Sequence, residues 1–120
     1  MSNETQLLFA IGYCIFMLLL FMLLIKHTPK KINYIYGYRT RLSMKNQATW
    51  DSANSFANTK MLQISYWSFL LPVFSYFIYP QCTVISTAIG NMFLIFWVVY
   101  ATEKHLNTHF DKEGNPKQLE

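Results

Sequence analysis

Two long blocks of this chain contain no Asp, Glu, Lys or Arg: Leu7–Ile25 and Met61–Thr102. Polar and charged residues collect between them and after them. The first block, LLFAIGYCIFMLLLFMLLI, is apolar on every side, which excludes a helix lying on the surface of a soluble core. At a rise of ~1.5 Å per residue it covers roughly 28 Å, close to the thickness of a bilayer's hydrocarbon core. The second block is long enough for two spans, parted by the short turn Pro80, Gln81, Cys82. Pro72 falls inside the earlier of these and predicts a kink, because it lacks an N–H and its ring crowds the preceding turn. The pattern predicts an all-α membrane protein with three transmembrane helices, at about 7–25, 61–79 and 83–101.

A secretory signal peptide is the rival reading of the first block. It needs positive charge ahead of a shorter apolar run and a small-residue cleavage site. Here the positive charge follows the run, at Lys26, Lys30 and Lys31, so the reading is a retained helix that Pro29 brings to an end. Ile32–Tyr38 alternates as INYIYGY. A lone strand would have no partner, so Tyr34, Tyr36 and Tyr38 read as anchors at the membrane interface, and Gly37 permits a turn. Ser43 is a candidate N-cap, with Asn46 as the alternative, for a helix that meets few breakers on its way to the second span. The expectation is a cytoplasmic interfacial helix or loop between the first and second spans. Residues 103–120, with Gly114, Asn115 and Pro116, are expected to form a frayed polar tail outside a single membrane module of residues 1–102. The 33–54 stretch and the tail are not expected to build a soluble core between them.

Composition supports the membrane assignment. Charged residues are 13% of the chain, where a soluble domain carries about 25%, and hydrophobic residues are 52%. The net charge of +4 could suggest nucleic acid. The basic residues, however, sit beside apolar runs and follow no nucleic-acid motif, so topology and anionic lipid account for them. Lys26, Lys30, Lys31, Arg39, Arg41, Lys45 and Lys60 lie between the first two spans against Asp51 alone, whereas Met1–Gln6 and the turn near Pro80 carry no Lys or Arg. The positive-inside rule then predicts an outside N-terminus, a cytoplasmic 26–60 segment and a cytoplasmic C-terminus. Cys14 and Cys82 have no metal-ligand or disulfide-framework spacing. His27, His105 and His109 are too scattered for a metal site, and no nucleophile–base or phosphate-loop pattern is present, so neither an enzyme nor a cofactor is expected.

Asn54, Asn58, Met61, Ser65, Ser68, Pro72 and Ser75 fall on one stripe of a continuous helix. In lipid such a small, polar face turns toward other helices, and a polar path for a ligand is the sharper alternative. Asn91 lies at mid-span beside Gly90 and must find a partner, as helix glue or as a ligand contact. Arg39, Arg41 and Lys45 suit lipid phosphate or plain topology. Asp51, the sole acid among seven bases, predicts an ion pair with one of them that locks the loop, and a forked contact from Arg39 would go to Asp51 or to a phosphate.

The stretch Asn33–Asn54, NYIYGYRTRLSMKNQATWDSAN, supplies Asn33, Gly37, Tyr38, Arg39, Thr40, Ser43, Lys45, Asn46, Trp50, Ala53 and Asn54 in the order of an N-x-x-x-G-Y-R-T motif followed by a helix bearing Trp. It resembles the SdpI family, small bacterial membrane proteins named for the immunity protein against a sporulation-delaying peptide toxin. The resemblance covers about Leu7 to Ala101. It implies a protein of the bacterial inner membrane that protects its cell from a membrane-active peptide. The candidate ligand- or partner-binding residues are then Gly37, Tyr38, Arg39, Thr40, Ser43, Lys45, Asn46, Trp50, Asp51, Asn54 and Asn91. Expected partners are membrane lipids with anionic headgroups near the basic loop, a peptide toxin and a second copy of the chain. A structural or lipid-binding membrane module, or a subunit of a larger membrane assembly, is the alternative.

Overall fold

The computed structural model describes residues 1–117. Helix α1 runs Asn3–Lys26, and Ser2 caps it by accepting the Thr5 N–H at 3.1 Å. Helix α2 is Gln47–Trp67, α3 is Leu70–Ile78, and α4 is Thr83–His109, entered through a short 3₁₀ turn at Pro80–Cys82. α1, the α2–α3 pair and α4 are each long and apolar enough to cross a membrane. They pack on one another as an all-helical bundle. The start of α4 has no side-chain cap of its own. Gln6 from α1 supplies one, its Oε1 accepting the Val84 N–H at 3.0 Å.

The predicted kink appears as a break between α2 and α3, at Ser68 and Phe69. Pro72 lies four residues beyond Ser68 and cannot donate to its carbonyl. That oxygen instead accepts the Leu71 N–H at 3.1 Å and the Cys14 thiol at 3.5 Å. Cys14 therefore does more than fill space: it helps satisfy a carbonyl that the proline leaves open inside the bundle.

The predicted polar stripe faces inward. Asn54, Ser65, Ser68 and Pro72 are buried, and α4 turns Thr83, Thr87, Asn91 and Thr102 into the same interior. Large side chains such as Phe16, Phe74, Phe77 and Phe93 point outward. Small residues inside and large apolar residues outside is the packing expected when the surroundings are lipid, because the hydrophobic effect gives no reason to bury phenylalanine there.

One expectation is narrowed beyond the spans and two are corrected. Of the expected helix or loop before the second span, a loop is what forms: residues 27–46 make turns, and α2 runs on from Gln47. Residues 103–117 are not frayed. α4 continues to His109, and the chain then turns back so that Phe110 pairs with Pro116 in an isolated antiparallel bridge. Residues 118–120 of the expected tail lie outside the described residues. Finally, the motif and this returning segment do share a core. Leu42, Ala53, Leu106 and Phe110 are buried together with Tyr38 packed against them. The ends of α2 and α4, projecting past the apolar spans, supply the apolar contacts that the loop and tail lack alone.

Candidate functional site

The motif is positioned by α2, whose first turn carries a reciprocal cap. Asn46 accepts the Thr49 N–H at 2.9 Å, and Thr49 Oγ1 accepts the Asn46 N–H at 3.1 Å. Of the two candidate caps, Asn46 is therefore the one used. Ser43 caps a different turn. Its hydroxyl accepts the Thr40 N–H at 2.7 Å, while Thr40 Oγ1 accepts the Ser43 N–H at 3.2 Å. Asn33 folds the preceding turn, its side-chain oxygen accepting the Ile35 and Tyr36 N–H groups at 2.9 and 3.0 Å.

Two side chains on successive turns of α2 hold this loop against the helix. Trp50 is fully buried, and its indole N–H donates to the Pro29 carbonyl at 3.0 Å. Asn54 accepts the Tyr38 N–H at 2.8 Å and donates to the Trp50 carbonyl at 3.0 Å. Gly37 passes between them with φ +98°. A Cβ there would meet Asn54 Oδ1 at 3.0 Å, Pro29 Cγ at 3.1 Å and Trp50 Cζ2 at 3.2 Å. Glycine is thus required twice over, by conformation and by space.

Tyr38 joins the loop to α4. Its hydroxyl donates to Glu103 Oε1 at 2.8 Å and approaches the Val99 carbonyl at 3.3 Å. Burial pushes this phenol well above its ordinary value, and the neighbouring Glu103 carboxylate adds to the rise. The returning C-terminal segment is clasped on the other side, where Asn46 Nδ2 donates to the Gly114 carbonyl at 2.7 Å. Gly114 also has a positive φ, +85°, and Asp111 Oδ1 accepts the Glu113 and Asn115 N–H groups to form its turn.

The expected ion pair does not form among the described residues. Arg39 donates through Nη1 to the Tyr34 carbonyl, and Asp51 accepts from Gln47 Nε2 at 2.7 Å. Gln47 also donates to the Lys30 carbonyl at 2.6 Å, so a neutral amide does the bridging expected of a salt link. Arg39, Arg41 and Lys45 are exposed. Asn91 is buried in the membrane half, where its amide donates to the Thr87 carbonyl of its own helix at 2.9 Å.

A cleft of about 380 Å³ opens between the end of α1, the motif loop and α2. Its walls include Phe21, Leu24, Ile25, Ala57, Met61 and Val99, with Thr28, Asn58 and Arg39 as polar members. Asn58 donates to Thr28 Oγ1 at 2.8 Å across its floor. Of the sequence-derived candidates, the cleft gathers Gly37, Tyr38, Arg39, Thr40 and Asn54; Ser43, Lys45, Asn46, Trp50, Asp51 and Asn91 do not line it. Thr49, Glu103 and Gly114 were not anticipated. Glu103 lay beyond the presumed end of the last span, and Gly114 gave only a turn signal. No group of three or more His, Cys, Asp or Glu among the described residues could hold a metal ion.

These features define a three-span helical membrane protein with a folded polar cap at one end of the bundle. Residues 30–101 match the SdpI/YfhL protein family, and the chain belongs to that family. A 34-residue stretch is 50% identical to the uncharacterized protein YfhL of Bacillus subtilis (strain 168), covering 28% of this chain and 31% of that protein. No solved structure matches.

Proposed function

We propose that this protein resides in a bacterial cytoplasmic membrane and protects the cell from a membrane-active peptide, which it engages in the cleft between α1, the motif loop and α2. The cleft carries this reading. It combines apolar walls with Arg39 and two side-chain amides at the level where the apolar spans end. That combination suits an amphipathic peptide whose apolar side chains enter and whose carboxylate or carbonyls meet the polar members. Membership of an immunity-like family favours the same role. The protein acts by binding, without catalysis or cofactor.

The proposed orientation places the N-terminus outside and the motif and C-terminus in the cytoplasm, supported by the basic residues gathered between the first two spans. Cysteine introduced at Lys30 or Arg41 is expected to resist an impermeant thiol reagent in intact cells, while Cys82 reacts. Labelling at Arg41 without lysis refutes this orientation.

A second reading, a structural or lipid-binding module serving a larger assembly, is favoured by one observation. Asn33, Thr40, Ser43, Asn46, Trp50 and Asn54 direct their polar groups at this chain's own backbone. Deleting the gene and challenging cells with candidate peptides separates the readings. The immunity reading expects sensitisation that the wild-type gene reverses. Arg39→Gln, at an exposed position, should insert normally yet lose protection by roughly tenfold or more, as expected for removing a charged contact. Full protection by Arg39→Gln removes the cleft from the mechanism. A deletion strain indifferent to every peptide favours the structural module.

A further inference from the structure

Another groove, of about 390 Å³, lies on a different face, between α2 and α4. Its lining includes Lys60, Lys104, His105 and His109 together with Trp97 and Tyr100, and contains no Asp or Glu. The rings build the walls. Phe56 stacks on His105 with centroids 4.3 Å apart, and His105 lies 4.4 Å from His109. Lys60 Nζ sits 5.4 Å from the Phe56 ring centre and 5.8 Å from that of Trp97, which holds the ammonium over the groove. His105 Nε2 is 3.0 Å from Ser52 Oγ, and His109 donates from Nδ1 to the His105 carbonyl at 2.8 Å, so both rings are fixed in place.

Two lysines and two imidazoles share a groove whose lining offers no carboxylate. Glu103, the acid nearest in sequence, is engaged with Tyr38. The groove straddles the end of the last apolar block, with Trp97 and Tyr100 inside it and Lys104 just beyond. At that depth the abundant anion is a phospholipid phosphate, and aromatic rings beside basic side chains match its glycerol and headgroup region. We propose that this α2–α4 groove is a binding site for the headgroup of an anionic phospholipid, with Lys60 and Lys104 contacting the phosphate. The proposal is independent of what occupies the cleft beside Arg39.

The test uses the full-length protein in mixed micelles. Lipid retention is read by native mass spectrometry with phosphatidylglycerol and phosphatidylcholine of equal chain length. The wild type should prefer phosphatidylglycerol by about tenfold or more, given the attraction of two near-surface lysines. Lys60→Gln with Lys104→Gln should abolish that preference, and Lys60→Arg with Lys104→Arg should keep it. Lys26→Gln with Lys31→Gln removes the same charge beside α1 and should leave the preference intact. Excess inorganic phosphate should not displace the lipid. The proposal is overturned if the Lys60/Lys104 glutamine variant retains its preference, if the Lys26/Lys31 control loses it equally, or if inorganic phosphate competes the lipid away.

Discussion

In the membrane half of the molecule the buried residues are mostly small or polar, among them Ala10, Cys14, Ser65, Ser68, Thr83, Thr87 and Asn91, with Ile64 and Val98 as the larger apolar exceptions, while phenylalanines cover the outside. In the cap the arrangement is reversed: Trp50, Leu42, Leu106 and Phe110 are inside, and Arg39, Arg41 and Lys45 are outside. One chain thus carries two cores built for two solvents. The cap loses free energy when a large apolar side chain is removed, because water waits outside it. The bundle is held by close approach and by hydroxyls that mostly bond within their own helix, as Thr87 does to Thr83 and Thr102 to Val98, each at 2.7 Å.

Substitutions can separate these two regimes. The largest effect is expected at Trp50→Ala, which empties a fully buried site and strands the Pro29 carbonyl, at a cost of about 3–5 kcal/mol. Limited proteolysis should then cut within 30–45 while far-ultraviolet circular dichroism stays mostly helical. Simultaneous loss of both signals would show that cap and bundle are one cooperative unit. Gly37→Ala comes next, at about 1–3 kcal/mol, from a left-handed backbone and three close contacts. Gly12→Ala on α1, where a Cβ meets nothing within 4 Å, should fall within about 0.5 kcal/mol of wild type in the same denaturation assay.

Tyr38→Phe should cost about 1 kcal/mol by deleting the bond to Glu103. Because the folded-state pKa of Tyr38 is raised, the neutral phenol is favoured by folding. Its contribution is complete below the ordinary tyrosine value of 10.0 and is lost as pH rises beyond it toward the folded pKa. Wild-type thermal stability should therefore fall more steeply above about pH 10 than that of Tyr38→Phe. A comparably small change is expected at Thr87→Val, below about 0.6 kcal/mol, since its hydroxyl serves only its own helix. A loss there as large as at Gly37 would erase the contrast between the halves.

The spans were readable because charge-free length and lipid thickness settle them without tertiary knowledge. Gly37 as a turn was readable for the same reason, being local backbone chemistry, and Asn46 was readable only as the alternative cap to Ser43. Pro72 announced a break, but the Cys14 thiol that meets the freed Ser68 carbonyl lies 54 residues before Ser68, on another helix, which local pattern cannot supply. The cap core was missed for a more specific reason. The inward face of α4 continues through Val98, Thr102 and Leu106 to Phe110, past the point where charges reappear. Following that four-residue spacing beyond Thr102 would have carried the helix out of the membrane and found the core. The Asp51 ion pair was inferred from charge scarcity, and Gln47 took that place because it reaches both Asp51 and the Lys30 carbonyl from the first turn of α2.

The clasp between Asn46 and Gly114 joins residues 68 positions apart in the chain. A ribosome adding about 5–20 residues per second makes Asn46 roughly 3–14 s before it makes Gly114. During that interval the motif loop has its helix cap and its turns but lacks Leu106, Phe110 and the closing strap. The nascent motif must therefore wait, with Trp50 and Leu42 incompletely covered, until the last helix has been threaded and its far end has emerged. Stalling or truncating synthesis before Phe110 should leave a membrane-inserted chain whose motif is open to proteases, a state that quality-control machinery could recognise as unfinished.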